Sequence, residues 1–174
     1  LSPTSSMRAV VLRRPLDLDV EERETPEPGP GEVLVRIARG GICGSDLHYF
    51  RHGGFGTVRM KEPMILGHEI AGRVEALGAG VSGPAVGTAV AVNPANPCGV
   101  CAFCRAGQPI HCLDMRFLGS AMRMPHVQGG FAEHLVCRAE NAVPLATGSD
   151  PTAGAWATAC SVTARGSAKA PAVG

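Results

Sequence analysis

The sequence predicts a mainly β domain, a partly open β-barrel that carries a cysteine-rich, metal-binding lobe. Three observations lead there. Short runs of alternating or continuous apolar residues recur along positions 7–145, set apart by glycine and proline. The 174 residues include 23 Gly and 14 Pro but only 4% aromatics, a composition of frequent turns, not of packed helices. Four of the 7 cysteines fall between positions 98 and 112. A chain of this length suits one domain with a core and is short for two.

Residues 7–12 (MRAVVL) are the first expected strand, and 17–24, which alternates weakly, the second. Pro26, Pro28, Gly29, Pro30 and Gly31 make a stiff loop before 32–38 (EVLVRIA), whose charged–apolar alternation reads as a strand. A short helix is expected over 45–50, with Ser45 as N-cap and Asp46 in the first turn. Further strands are expected at 64–66, 70–77, 88–92, 131–137 and 142–145, with Gly129 and Gly130 breaking the chain before the last pair. Strands and loops with few helices, in this order, suggest the open barrel. The run Gly78-Ala79-Gly80-Val81-Ser82-Gly83 matches a dinucleotide-binding pattern, yet Pro84 and a strand follow it. Without a helix N-terminus nothing there holds a pyrophosphate, so it reads as a glycine turn.

Charge and hydropathy exclude several classes. The formal net charge is +1 with no basic stripe, which gives no footprint for nucleic acid. No apolar run approaches the roughly 20 residues that span a bilayer, so no membrane partner is expected. Residues 1–6 lack a charged and an apolar signal region and read as an N-terminal extension before Met7, which implies a cytoplasmic protein. An odd cysteine count without an export signal argues against a disulfide framework.

Cys98, Cys101, Cys104 and Cys112 form C-x2-C-x2-C-x7-C, enough sulfur for a closed tetrahedral zinc site. An iron–sulfur cluster and a set of buried free thiols are the competing readings. His111 stands beside Cys112 and reads as a surface histidine. A second group is Cys43, in the glycine-dense Gly40-Gly41-Ile42-Cys43-Gly44-Ser45-Asp46-Leu47-His48, together with His68 and Glu69 of Gly67-His68-Glu69. A thiolate, an imidazole and a carboxylate would leave a fourth zinc position open, the layout of a catalytic metal. A core cysteine and a hydrogen-bonded histidine account for the same residues without a metal. A zinc-ribbon nucleic-acid binder fits poorly, because a second cysteine pair and basic neighbours are both missing.

Taken together these segments resemble the zinc-dependent medium-chain dehydrogenases over residues 7–145. Residues 41–48 look like the segment with the first catalytic-zinc ligand, Gly67-His68-Glu69 like the family's G-H-E, and the four cysteines like its structural-zinc lobe. Within the family, residues 114–122 with Pro125-His126 and Gly129-Gly130-Phe131 resemble the idonate- and sorbitol-oxidising branch. The resemblance implies a GroES-like barrel, one structural and one catalytic zinc, and a Rossmann domain for NAD(P) that lies outside this chain. It implies hydride transfer to nicotinamide from a zinc-held, acidified hydroxyl of a polyol or sugar acid. By position, Cys43 and His68 would be ligands, with Glu69 a ligand or close to one. Ser45 would take the hydroxyl proton, His48 would relay it to solvent, and Asp46 would orient the ligand histidine. Tyr49 and Phe117 would line the substrate pocket. The implied reaction is oxidation of a secondary alcohol, L-idonate to 5-keto-D-gluconate first. Sorbitol or threonine oxidation, and a non-catalytic zinc-binding fragment, are the alternatives. The full-length enzyme would be a homo-oligomer.

Residues 146–174 depart from the pattern. Members of this branch carry Glu-Pro-Leu-Ala shortly after the barrel, and Thr158 stands where that Glu would be. The segment reads as an atypical tail, a truncated or aberrant start of the connection to the cofactor domain.

Overall fold

The computed structural model describes residues 5–146. The tail reading, with Thr158, lies outside them. Twelve strands and two short helices follow in order: β1 (Ser6–Arg14), β2 (Asp17–Glu24), β3 (Glu32–Gly41), α1 (Gly44–His52), β4 (Gly54–Phe55), β5 (Val58–Arg59), β6 (Met64–Ile65), β7 (Glu69–Leu77), β8 (Ala89–Val92), β9 (Ala95–Asn96), α2 (Ala102–Arg105), β10 (Arg116–Phe117), β11 (His134–Arg138) and β12 (Ala142–Pro144). The mainly β, partly open barrel expected from the sequence is what forms. The strand at 131–137 starts later than expected, at His134, because Gly129 to Glu133 bond singly to several neighbours.

The main sheet runs β11-β3-β7-β8-β12, antiparallel throughout, and a smaller one runs β2-β1-β6. The segment before β11 stitches them together. Val10 donates its N–H to Phe131 O (2.7 Å), Glu133 donates to Arg8 O (3.0 Å), and Phe131 donates to Leu66 O (2.9 Å). The main sheet therefore curls toward the smaller one and closes part of a barrel.

Alternation along the strands places Val33 and Val35, Ile70 and Val74, Val90 and Val92, and Leu135 and Cys137 on one buried face. Gly72 lies on that face too, where a Cβ would collide with Arg36 O. A second core of Leu12, Tyr49, Met64, Leu66 and Ala121 sits under α1, and Phe131 packs against both cores. Burial in that core removes Tyr49 from the substrate pocket. It is 2% exposed, and its hydroxyl accepts the Ala121 N–H at 2.9 Å.

On the outside, β2 is an edge strand studded with charge, and Arg13–Glu21 and Arg14–Asp17 pair at 2.9 Å. Such pairs add little stability but keep the edge from pairing with other chains. No helix among the described residues is long and apolar enough to cross a membrane. The Gly78–Gly83 run forms a turn, with no helix after it.

Ile70 is fully buried at the centre of the main core. Ile70→Ala is expected to lower the unfolding free energy by about 2–5 kcal/mol. The readout is a drop in urea midpoint at unchanged m-value. A loss below about 1 kcal/mol would show that the site collapses around the smaller side chain.

Candidate metal centres

Two donor clusters form among the described residues. In the first, the Sγ atom of Cys43, a ring nitrogen of His68 and a carboxylate oxygen of Glu69 all lie within 4.8 Å of one another. Zinc–donor bonds of roughly 2.0–2.3 Å put tetrahedral donors about 3.5 Å apart. The set therefore fits such an ion with small side-chain movement.

The convergence follows from strand register. β3 and β7 pair antiparallel, with Gly41 opposite Glu69. Cys43 follows the end of β3 by two residues, and His68 precedes β7 by one, so both emerge at the same end of the pair. Glu69 belongs to β7 and lays its carboxylate over Gly41, where a Cβ would collide with its Oε2. This glycine cradle is the feature that sequence reasoning missed. The glycine pair 40–41 was visible, but its partner across the sheet was not.

Helix α1 begins at Gly44 with Cys43 as N-cap, two residues before the Ser45 cap expected from the sequence. Asp46 occupies N3 and reaches back, its Oδ2 accepting the Cys43 N–H at 2.9 Å. Its Oδ1 accepts the Gly67 N–H at 3.2 Å and lies 3.8 Å from His68 Nδ1. Asp46 was expected to orient the histidine ring. At 3.8 Å the ring is beyond hydrogen-bond reach, and the carboxylate instead ties together the backbones of the two donor loops. It is 3% exposed, so these charge-assisted bonds are shielded from water. Ser45 is half-buried in the first turn of α1, and His48 is exposed one turn on, on the same side of the helix. The Phe117 ring stands 5.4 Å from that of His68.

The second cluster is the lobe. The sulfur atoms of Cys98, Cys101, Cys104 and Cys112 lie within 4.8 Å of one another. Gly99 turns the chain at φ 75°, α2 is capped by Cys101, and Cys98 donates its N–H to Cys112 Sγ at 3.2 Å. Backbone N–H groups of Leu113 and Cys104 pull the Cys101 thiol down to about 6, while burial and a shared hydrogen bond with Cys101 push Cys104 up to about 12. Backbone donors aimed at sulfur favour thiolate, the form that binds metal. The lobe does contain apolar residues, but Val100, Ile110 and Leu113 are 70%, 61% and 66% exposed. Neither α2 nor the 3-10 turn Pro109–His111 buries a residue, so a bound metal is the obvious source of its folding energy. His111 is exposed, and its ring centroid stands 5.8 Å from that of Phe103.

Comparison with known proteins places this arrangement. Residues 29–147 match the model of the alcohol dehydrogenase GroES-like domain. The chain is 45% identical over 125 residues to the L-idonate 5-dehydrogenase (NAD(P)(+)) of Escherichia coli K12, a match covering 72% of this chain and 36% of that protein. It is 46% identical over 108 residues to the sorbitol dehydrogenase of Gallus gallus, covering 62% of this chain and 30% of that one. The crystal structure of the Escherichia coli K-12 L-idonate 5-dehydrogenase superposes with a TM-score of 0.81 at 39% identity, over 88% of this chain and 43% of that chain. The chain thus spans well under half the length of the relatives it matches.

Asp46→Ala removes the acceptor from both loop N–H groups. It is expected to lower stability by about 2–3 kcal/mol, as for buried hydrogen bonds to a charged group. Denaturation at equal metal content reads this, and Asp46→Asn, which keeps an acceptor, is expected to lose less. Equal losses for the two variants would contradict the hydrogen-bond account.

Proposed function

Because the chain belongs to the alcohol dehydrogenase GroES-like domain family, we propose that residues 7–145 are the zinc-binding, substrate-side part of an NAD(P)-linked dehydrogenase. It would act on a secondary alcohol of a sugar acid or polyol, with L-idonate, oxidised to 5-keto-D-gluconate, the first candidate. The observation that carries this reading is the convergence of Cys43, His68 and Glu69 at the open end of the β3–β7 pair. Sorbitol and threonine are the competing substrates, because a sorbitol dehydrogenase and an L-threonine 3-dehydrogenase are also similar to this chain, at 46% and 37% identity.

A zinc ion held there supplies Lewis acidity, which makes a substrate hydroxyl easier to deprotonate. The chain's own residues do the remaining work. Cys43, His68 and Glu69 supply three donors and leave a fourth direction free for substrate. Ser45 receives the hydroxyl proton, and His48, exposed and three residues on, passes it to water. Asp46 holds the Cys43 and His68 loops together, and Phe117 covers the His68 ring on one side. Cys98, Cys101, Cys104 and Cys112 hold the second, structural zinc. NAD(P) rests on the relatives alone.

Two measurements test this. Elemental analysis is expected to find two zinc ions per chain. Cys43→Ala or His68→Ala should remove one, and Cys98→Ser should remove the other. One zinc, indifferent to Cys43→Ala, would make this chain a structural zinc fragment. For the substrate, residues 7–145 grafted in place of the corresponding part of the Escherichia coli L-idonate 5-dehydrogenase should give L-idonate-dependent formation of reduced nicotinamide. Turnover of sorbitol or threonine in preference would reject L-idonate.

A further inference from the structure

Beside the two donor loops lies an aromatic residue that is not itself a donor. Phe131 packs against both hydrophobic cores, and its backbone is fixed between Leu66 O, which accepts its N–H at 2.9 Å, and the Val10 N–H, which donates to its carbonyl at 2.7 Å. Gly130 next to it donates to Gly67 O at 2.9 Å. The ring faces two glycines. A Cβ built on Gly67 would collide with the ring, and one on Gly40 would stand 3.2 Å from its Cε1. Gly67 immediately precedes His68, and Gly40 is three residues before Cys43. Gly67 also holds φ at 94°, a conformation that a side chain rarely adopts. One aromatic ring thus sits against the backbones of both donor loops, and both loops have given up their side chains at the point of contact.

We infer that Phe131 is a positioning residue: a wedge whose ring sets the distance between the Cys43 loop and the His68–Glu69 loop, and so the spacing of the three donors. The inference rests on reading Cys43, His68 and Glu69 as a metal site. Asp46 pulls the two loops together by hydrogen bonds, while Phe131 limits their approach from the core side. Packing that is stiff on the ångström scale makes such a spacer effective, because neither glycine backbone can follow a shrinking side chain without breaking its hydrogen bonds. Phe131→Leu keeps the position apolar and removes the ring edge.

The four-sulfur lobe gives an internal control, since its stem is held elsewhere. Cobalt(II) is titrated into the metal-stripped, refolded 174-residue chain and followed by absorption, with the lobe's intense four-thiolate bands separate from those of the mixed-donor site. Phe131→Leu is expected to weaken cobalt at the mixed-donor site by about tenfold or more, in the range seen when residues supporting metal ligands are changed. Its ligand-field bands should shift, while lobe affinity stays as it was. Gly40→Ala pushes a methyl toward the ring. It should weaken the same site in the parent chain and recover part of the loss in the Phe131→Leu background, where space has opened. Should Phe131→Leu fail to fold, Phe131→Met, which keeps more of the volume but no ring, carries the test through the same selective loss, because the methyl of Gly40→Ala also meets Ile70 Cδ1 at 3.3 Å. Unchanged mixed-donor affinity and spectrum, equal loss at both sites, or an additive pair would overturn the inference. No cobalt at the mixed-donor site of the parent chain would instead overturn the metal-site reading beneath it, and this inference with it.

Discussion

The register of β3 on β7 is the constraint on which the rest depends. Gly41 faces Glu69 only because two irregularities in the ladder cancel: Glu75 on β7 and Ala38 on β3 each lack a partner. Either bulge alone would slip the pairing by one residue. A one-residue slip turns every following side chain to the opposite face. The Glu69 carboxylate would then no longer lie over a glycine, and Ile70 would leave the core. Core packing and donor convergence are thus consequences of one pairing, since Val35, Ile70 and Val74 are buried by the same register that aligns the donors. The displaced Glu75 finds His134 Nε2 at 3.3 Å.

The cysteine lobe is connected to the same site by a short hairpin. It lies between β9 and β10, which pair Asn96 with Arg116 and Ala95 with Phe117. The stem is anchored by buried Asn141, whose Nδ2 donates to Asn93 O at 2.9 Å, Ala95 O at 3.1 Å and Asn96 Oδ1 at 3.0 Å. Phe117 is at once the last residue of the hairpin and the neighbour of the His68 ring. The hairpin that carries the lobe, held by Asn141, is thus also the one that presents Phe117 to the His68 ring.

Much of this was legible in the sequence for identifiable reasons. Apolar runs and alternation located β1, β2, β3, β7 and β8 to within a few residues; β1, β3, β7 and β8 supply buried side chains, while β2 buries none. The four lobe cysteines lie close in sequence, so local spacing alone predicted their cluster. Cys43 and His68 are 25 positions apart, so residue type left a core cysteine and a hydrogen-bonded histidine as a competing reading, and the family resemblance favoured the metal ahead of the fold. Their neighbours were harder to read. The family resemblance implied a pocket position for Tyr49, but the helical period turns it inward, onto Met64 and Leu66. Asp46 looked like a partner for a ring and proved to be a partner for backbone. Sequence shows which residue carries a carboxylate, whereas the free N–H groups it must satisfy appear only when two loops meet. The bulges at Glu75 and Ala38 left no sequence signal at all.

The two donor clusters differ in what organises them, and this bears on what each can do. At the barrel site the backbone is already held by the β3–β7 ladder, by Asp46 and by the Phe131 segment, so metal affinity there is a matter of donor spacing in a folded frame. In the lobe no residue of α2 or the following turn is buried, and the sulfurs themselves are the centre of the structure. A metal bound there would be inseparable from local folding. A folding site is best served by four identical soft donors that close the shell. A working site needs a donor set that leaves a direction open and a frame that keeps its shape whether or not that direction is filled. Three unlike donors on a hydrogen-bonded strand pair meet that need, and four thiols on a loop of exposed apolar residues would not. The division of labour follows from where each set is mounted as much as from the donors themselves.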